Sequence, residues 1–472
     1  MHNKEKKISG YINISAFNRG NNNNMNNFQN NGIMENKILI NNSNNFIQNP
    51  LKDKDRIELV NPKKEYNILV NNTFCNKIPE VDKVIFNKLG NININRNRNN
   101  NPPSSKKTKN KFVPGSIGLT NIGNTCYLNS AIQILKNIYP LTLYLLINYK
   151  NYNRHGFTYK YCELIANLIN QNDCQFFEPK EFFNKLSENA PIFSFGQQND
   201  SNISILYILS LLEKETKNDT NQKKLKDIKI SYLYSVEDKE KFNLFLKKTI
   251  SKRNSCIIDL LYGFQEDIII CGNNNCNYRL INYQGISVLN LPIMYYNNKP
   301  IKTLVESIKY YQTVFNHQND KDFICPLCHN YNISTQSIII SYPKHLIINF
   351  KRVGEQNFYN HYVNVPQKLI INTDNYMYEY YLIGLIKHFG GEHSGHNIAI
   401  CKNFFDEKWY VYDDSSVRRL DNTVYGRNNY TKEVEIDTTK GFLFCYQMKG
   451  NIISDSEKNT ISQKSEEIKE NL

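Results

Sequence analysis

With 472 residues, 40% of them hydrophobic and 12% aromatic, the chain can build one large domain or two to three small ones around a sizeable core. Lys and Arg number 58 against 44 Asp and Glu, a formal charge of +14, but no aromatic periodicity is interleaved with the basic residues as a nucleic-acid groove requires. The N-terminus lacks the apolar core of a signal peptide and no apolar run reaches the ~18 residues that span a bilayer, so the composition argues against membrane and nucleic-acid classes. The expected setting is the cytoplasm and/or nucleus, where 11 cysteines serve as free thiols, nucleophiles or metal ligands rather than disulfides.

Residues 1–112 are dominated by Asn, Lys and Ile, with runs such as Asn21 to Asn24 and Asn99 to Asn101. Such a segment buries too little apolar surface to offset chain entropy, and a disordered low-complexity arm is expected. It ends in Lys106, Lys107, Lys109 and Lys111, a run that reads as a linker or a nuclear address. Order begins near Pro114. Leu128, Ile132 and Leu135 recur at helical steps after Cys126, and Pro140 closes that stretch. Residues 157–186 and 201–213 read as helices, the latter with Ile205, Ile208, Leu209 and Leu212 on one face. The polar 214–226 stretch reads as an insertion or exposed loop. From Ile257 the character turns to β, with strand-like runs at 268–270, 338–340, 346–348, 381–386, 398–401 and 443–446. The Ser-, Glu- and Lys-rich tail, 448–472, reads as disordered. An α-rich half thus precedes a β-rich half, an α+β arrangement whose layers leave a cleft for an active site.

The most specific segment is Gly118-Leu-Thr-Asn-Ile-Gly-Asn-Thr-Cys-Tyr-Leu-Asn-Ser-Ala-Ile-Gln-Ile-Leu135. It places the Cys126 thiol at the start of a helix, where the positive end of the dipole favours a thiolate. Asn121 can turn its amide toward the oxyanion formed when that thiolate attacks a carbonyl. A thiolate nucleophile needs a base, and Lys387 to Ala399 delivers His396 at the head of a strand after a glycine-bearing turn. The next strand brings Asp413 and Asp414, one of which can fix the imidazole tautomer. Three histidines in this loop (His388, His393 and His396) also permit a metal site. Two cysteine pairs, Cys271 with Cys276 and Cys325 with Cys328, have spacings compatible with structural zinc.

The cysteine and histidine segments resemble the boxes of the ubiquitin-specific protease family. The likeness runs from about Gly115 to Gln447 and takes in Ser194 to Asp200, Leu346 to Arg352 and Gly441 to Gln447. It implies a papain-like cysteine protease fold over 115–447, with a helical thumb, a β palm and β fingers at about 257–345. It implies Cys126 as nucleophile, His396 as base, Asp413 as its orienting acid, Asn121 as oxyanion donor and Asp414 as a helper. It further implies Asp200 as a contact for an arginine of the ubiquitin tail, and a structural zinc on Cys271, Cys276, Cys325 and Cys328 with no catalytic cofactor. The implied activity is hydrolysis after the C-terminal Gly-Gly of ubiquitin, with ubiquitin and ubiquitinated proteins as partners. No motif for a regulatory partner is readable. The chain departs from the family pattern at Asn397 (usually tyrosine), at Ile203 and Ser204 (usually glutamate and phenylalanine) and at Val353 (usually aromatic). Other readings are a peptidase for another ubiquitin-like modifier, an inactive ubiquitin-binding scaffold, and a basic zinc-ribbon nucleic-acid binder that leaves both boxes unexplained.

Overall fold

The computed structural model describes residues 113–170, 175–217, 228, 230, 236–253, 255–293, 295–296, 299–318, 320, 323–352, 361–390, 395–420, 436–450 and 453–471. The Asn-rich arm, most of the polar 214–226 stretch, His393 and Val353 lie outside them.

The first half is helical. A two-residue strand β1 (Gly118–Leu119) leads into α1 (Cys126–Lys136), followed by α2 (Tyr139–Ile147) and α3 (Phe157–Ile169). Every residue of α1 is buried, so its apolar residues face neighbours on all sides and it forms the central helix of this layer. The span read as one helix over 157–186 divides into α3 and α4 (Lys180–Asn189); between them β2 (Phe176–Phe177) pairs in parallel with β1. Then come α5 (Ser201–Glu215), α6 (Val236–Arg253) and α7 (Cys256–Leu261). The expected change to β at Ile257 is corrected here. Ser255 accepts from the Ile258 N–H and starts a helical turn, and a six-residue apolar run does not by itself separate strand from helix.

The fingers are a four-stranded antiparallel sheet, ordered β4 (Arg279–Ile286), β3 (Gly263–Cys271), β9 (Asn332–Ser341) and β8 (Phe315–Gln318). Within the finger span, β5 (Val288–Pro292), the small hairpin β6 (Tyr295–Tyr296) and β7 (Lys299–Pro300), and α8 (Leu304–Tyr311) leave that sheet. β5 instead pairs in parallel with β10 (His345–Lys351) of the palm. The palm adds β11 (Lys368–Asn372), β12 (Met377–Gly390), β13 (Gly395–Lys402), β14 (Trp409–Asp413), β15 (Ser416–Arg419) and β16 (Gly441–Met448), in the order β15-β14-β13-β12-β16-β10-β5, with β11 also on β12. Its strands read as near-continuous apolar runs because both faces are covered. On β16, Leu443 and Cys445 join the core shared with the helices, while Phe444 and Tyr446 join a second core on the opposite face.

The tail is ordered, not frayed. Residues Asp455–Glu470 form α9, opened by a capping box between Ser454 and Glu457. Its apolar content is two isoleucines seven residues apart, Ile461 and Ile468, both buried in the helical core beside α2 and α3. Composition hid so narrow a stripe. Polar contacts complete the seat: Asn170 donates to the Ser462 carbonyl (2.7 Å) and the Lys469 amine donates to the Asn170 carbonyl (2.6 Å). No single described helix is long and apolar enough to cross a membrane.

Because Ile468 is 1% exposed, Ile468→Ala is expected to lower the unfolding free energy by about 2–4 kcal/mol through lost burial and a residual cavity, as measured by chemical denaturation.

Candidate active site

The turn before Cys126 is built by its own sequence. Gly123 (φ 117°) and Asn124 (φ 56°) take the left-handed conformations that a glycine and an asparagine tolerate best. The Asn121 side-chain oxygen accepts from the Gly123 and Thr125 N–H groups, both at 3.1 Å, and the Thr125 hydroxyl accepts from Ile122 N–H. This closes the loop around the helix start and puts Cys126, 4% exposed, at the first position of α1.

His396 is the second residue of β13, opposite Phe389 on β12. A Cβ at Gly395 would lie 2.2 Å from Cε1 of the His388 ring and 2.9 Å from the Phe389 carbonyl oxygen, so glycine lets the two strands close up beside His396. His396 Nε2 lies 2.6 Å from Asp413 Oδ1, so that ring nitrogen is engaged by Asp413 and Nδ1 is the one left for the thiol. Hydrogen bonding to Asp413 first, and to Cys126 second, raises the imidazole to about 10 against partial burial. The raised pKa favours the imidazolium over the neutral ring at neutral pH. A positively charged ring against a sulfur at a helix N-terminus is the arrangement that stabilises a thiolate.

Asp414 stands beside this pair, with a carboxylate oxygen within 4.8 Å of the facing atoms of His396 and Asp413, and binds the cysteine loop. At φ 48° in the two-residue turn between β14 and β15, it accepts from Asn121 Nδ2 at 2.9 Å and from Asn129 Nδ2 at 2.8 Å. The Asn121 amide carries two N–H groups and Asp414 takes one of them, so a second is available toward an oxyanion. The residue expected as oxyanion donor is therefore oriented by the residue expected as helper. Asn129 was not singled out in the sequence; its i+3 step from Cys126 was the signal available.

The segment 194–200 connects both boxes: Asn124 Nδ2 donates to the Gly196 carbonyl (2.8 Å) and Gln198 Nε2 donates to the Gly395 carbonyl (3.2 Å). Asp200 ends it as the N-cap of α5, accepting from Asn202 N–H at 2.7 Å. It is surface-accessible yet crowded by protein atoms, and this loss of hydration raises its pKa while Asn202 N–H and the charge of His388 pull the other way. Asn397, which stands where the family has tyrosine, pairs across the strands with His388 (Nδ1 to Oδ1, 2.9 Å). The histidines of this loop are thus engaged separately, His388 with Asn397 and His396 with Asp413.

At the fingertip, Cys271 closes β3, Cys276 follows in the turn before β4, and Cys325 and Cys328 lie between β8 and β9. The four Sγ atoms lie within 4.8 Å of one another, with Cys271–Cys328 at 3.6 Å and Cys276–Cys325 at 3.7 Å. Sulfurs bound tetrahedrally at 2.3 Å from a central ion stand about 3.8 Å apart, so the cluster fits a metal ion. The Cys325 N–H donates to the Asn330 carbonyl and the His329 N–H to the Cys325 carbonyl, both at 2.9 Å, folding the second pair into a knuckle with His329 at φ 56°. The four intervening residues of the first pair do not prevent convergence.

A helix and a sheet thus bring a thiol, an imidazole and a carboxylate together, the set of groups that cysteine hydrolases of the papain-like fold also carry. A family model described as ubiquitin carboxyl-terminal hydrolase matches residues 117–446, and the chain belongs to that family. It is 24% identical over 365 residues to ubiquitin carboxyl-terminal hydrolase 2 of Homo sapiens, covering 73% of this chain and 57% of that protein. With ubiquitin carboxyl-terminal hydrolase 4 of Saccharomyces cerevisiae it shares 23% over 353 residues, covering 65% and 37%. The chain therefore spans little more than half the length of the first of these relatives. Among solved structures, the SAGA DUB module of Ubp8, Sgf11, Sus1 and Sgf73 bound to monoubiquitin has the same fold (TM-score 0.52, 16% identity, 78% of this chain and 75% of that one).

Iodoacetamide is expected to alkylate Cys126 at pH 6 at least about tenfold faster in the wild type than in His396→Ala, because only the wild type holds an imidazolium beside the sulfur. Peptide mass spectrometry at Cys126 reads the two rates.

Proposed function

We propose that this chain is a thiol-dependent deubiquitinase that hydrolyses the peptide or isopeptide bond after the C-terminal Gly-Gly of ubiquitin. The observation that carries the reading is the Cys126–His396–Asp413 array in a member of the ubiquitin carboxyl-terminal hydrolase family. Cys126 Sγ attacks the carbonyl carbon of the terminal glycine, and the carbonyl π electrons move onto oxygen, where the second Asn121 N–H stabilises the charge. Collapse breaks the C–N bond while the His396 imidazolium gives its proton to the leaving amine, leaving a thioester on Cys126. Neutral His396 then takes a proton from water, the hydroxide adds to the thioester, and Cys126 leaves as thiolate with a free ubiquitin carboxylate. Asp413 holds the ring in register throughout.

Asp200 is the proposed contact for a basic residue of the tail, and the strap at 194–200 that joins both boxes supports placing the tail there. Ile203, 37% exposed one turn further along α5, offers no second carboxylate and is the observation that favours another ubiquitin-like modifier as the second reading. The fingertip thiols are proposed to hold structural zinc, with all four positions filled by protein and none open for catalysis. A thiol mechanism acting on ubiquitinated proteins suits the reducing cytoplasm and/or nucleus.

Ubiquitin carrying a C-terminal electrophile is expected to label wild-type protein at Cys126. Cys126→Ala should remove labelling and Asn121→Ala should lower turnover about 10²–10³-fold. An unlabelled wild type at high probe concentration sinks the reading, and preferential labelling by a probe built on another modifier moves it to that substrate. Protein purified without chelator should carry close to one zinc per chain, and Cys325→Ser with Cys328→Ser should lose it and melt at lower temperature. Metal analysis that finds no zinc in the wild type removes that assignment.

A further inference from the structure

The helix that begins with Cys126 ends with a buried lysine. Lys136 is 1% exposed and closes α1, one residue beyond the cysteine box read from the sequence. Its amine donates to the Gly115 carbonyl at 2.5 Å and stands 4.5 Å from the centre of the Tyr412 ring; the Tyr412 hydroxyl donates to the same carbonyl at 2.9 Å. The three groups meet at the far end of a series. Asn129 donates to the Leu119 and Thr120 carbonyls, each at 3.3 Å, and Gln133 donates to the Ile117 carbonyl at 2.9 Å. Side chains at steps of four and three along one face of α1 thus bind the extended segment 115–120 carbonyl by carbonyl, and Lys136 is the last of them. Tyr412 directly precedes Asp413, and on a strand adjacent side chains point to opposite faces: Tyr412 goes down to Lys136 while Asp413 goes up to His396.

We propose that Lys136 is a positioning residue for the reaction: by clamping α1 to Gly115 and Tyr412 it fixes the angle of the helix against β14, and with it the distance from Cys126 to His396. The inference rests on the thiol-hydrolase reading above. Ten residues separate Lys136 from Cys126, a lever of about 15 Å, so a tilt of only about 4° moves the sulfur by about 1 Å. Misplacement on that scale costs reactions of this kind one to two orders of magnitude in rate. An amine with no carboxylate partner among the described residues is a poor choice for stability. Burial pulls Lys136 down to about 7, with the Cys401 thiol opposing, and a methionine of similar shape would rest there at lower cost. Geometry accounts for the lysine where stability does not.

The test compares wild type, Lys136→Met, Tyr412→Phe and the double variant for kcat and KM on a ubiquitin C-terminal fluorogenic substrate, for Tm, and for the rate of Cys126 alkylation by iodoacetamide at pH 6. Lys136→Met is expected to lower kcat about tenfold with KM within about twofold and Tm at or above the wild-type value. The double variant should fall no further than Lys136→Met alone. Unchanged kcat overturns the proposal, and so does a loss of kcat that tracks a falling Tm. If Lys136→Met does not fold, Tyr412→Phe decides, with reduced kcat at unchanged Tm in favour and wild-type kcat against. A wild type inert toward ubiquitin removes the substrate reading only. The alkylation rate then decides, a severalfold slowing in the variants supporting the clamp and equal rates overturning it.

Discussion

One carboxylate pins the two halves of the molecule together. Asp414 accepts from Asn121 on one side of Cys126 and from Asn129 on the other, at 2.9 and 2.8 Å, and its own carbonyl accepts from the Leu119 N–H at 2.8 Å. It comes from the palm and they come from the helical layer, so the contact sets where the sheet edge meets the cysteine loop. The backbone must run left-handed at Asp414 to aim it there (φ 48°), and a Cβ on Gly118 would lie 2.6 Å from the Asp414 carbonyl oxygen. Glycine at 118 is therefore part of the same joint. The turn that points Asp414 at the helix leaves Asp413 pointing at His396, so the orienting carboxylate and the pin are consequences of one hairpin.

That hairpin is the edge of a sheet whose inner strands are packed on both faces. The palm strands carry two cores, one shared with α1 to α5 and one beneath α8, and a sheet packed on both faces has little freedom to shift register. Its β12–β13 pairing carries His396 and its β14–β15 turn carries both aspartates. The thiol arrives from the opposite direction on a helix with no exposed face. Each reacting group thus rests on a regular element, and only the connecting loops are shaped by special residues such as Gly123, Asn124 and Gly395. The fingertip follows a different logic: its satellite core of Ile269, Phe323 and Ile333 is small, and beside it four thiols converge to a spacing that fits a metal ion.

Much of this was legible beforehand. A thiol after a Gly-Asn turn, a histidine after a glycine turn and two cysteine pairs are local signals, and each led to the residues that the fold brings together. The errors share a cause. The tail was read as disordered because two isoleucines among Ser, Lys and Glu look like solvent-facing sequence, yet Ile461 and Ile468 need only a groove between α2 and α3 to become a buried stripe. The run at Ile257 was read as strand because apolar pattern in six residues is ambiguous, and it was Ser255 at the N-cap that decided for helix. Asn397 departs from the family tyrosine, and only the fold supplies its cross-strand partner, the His388 ring at 2.9 Å.

The sequence by itself determined the chemistry: which thiol, which imidazole, which neighbouring acids, and which cysteines pair at the fingertip, because those depend on residue type and short spacing. Only the tertiary structure brought Asp413 onto His396 and Asp414 onto Asn121, joined Asn129 to them, buried Lys136 and seated the tail. Those outcomes depend on contacts between residues hundreds of positions apart, such as Asn121 with Asp414, and on which side of a strand or helix meets a partner. No local pattern encodes the partner, so the direction each side chain would take was fixed only when helix and sheet packed.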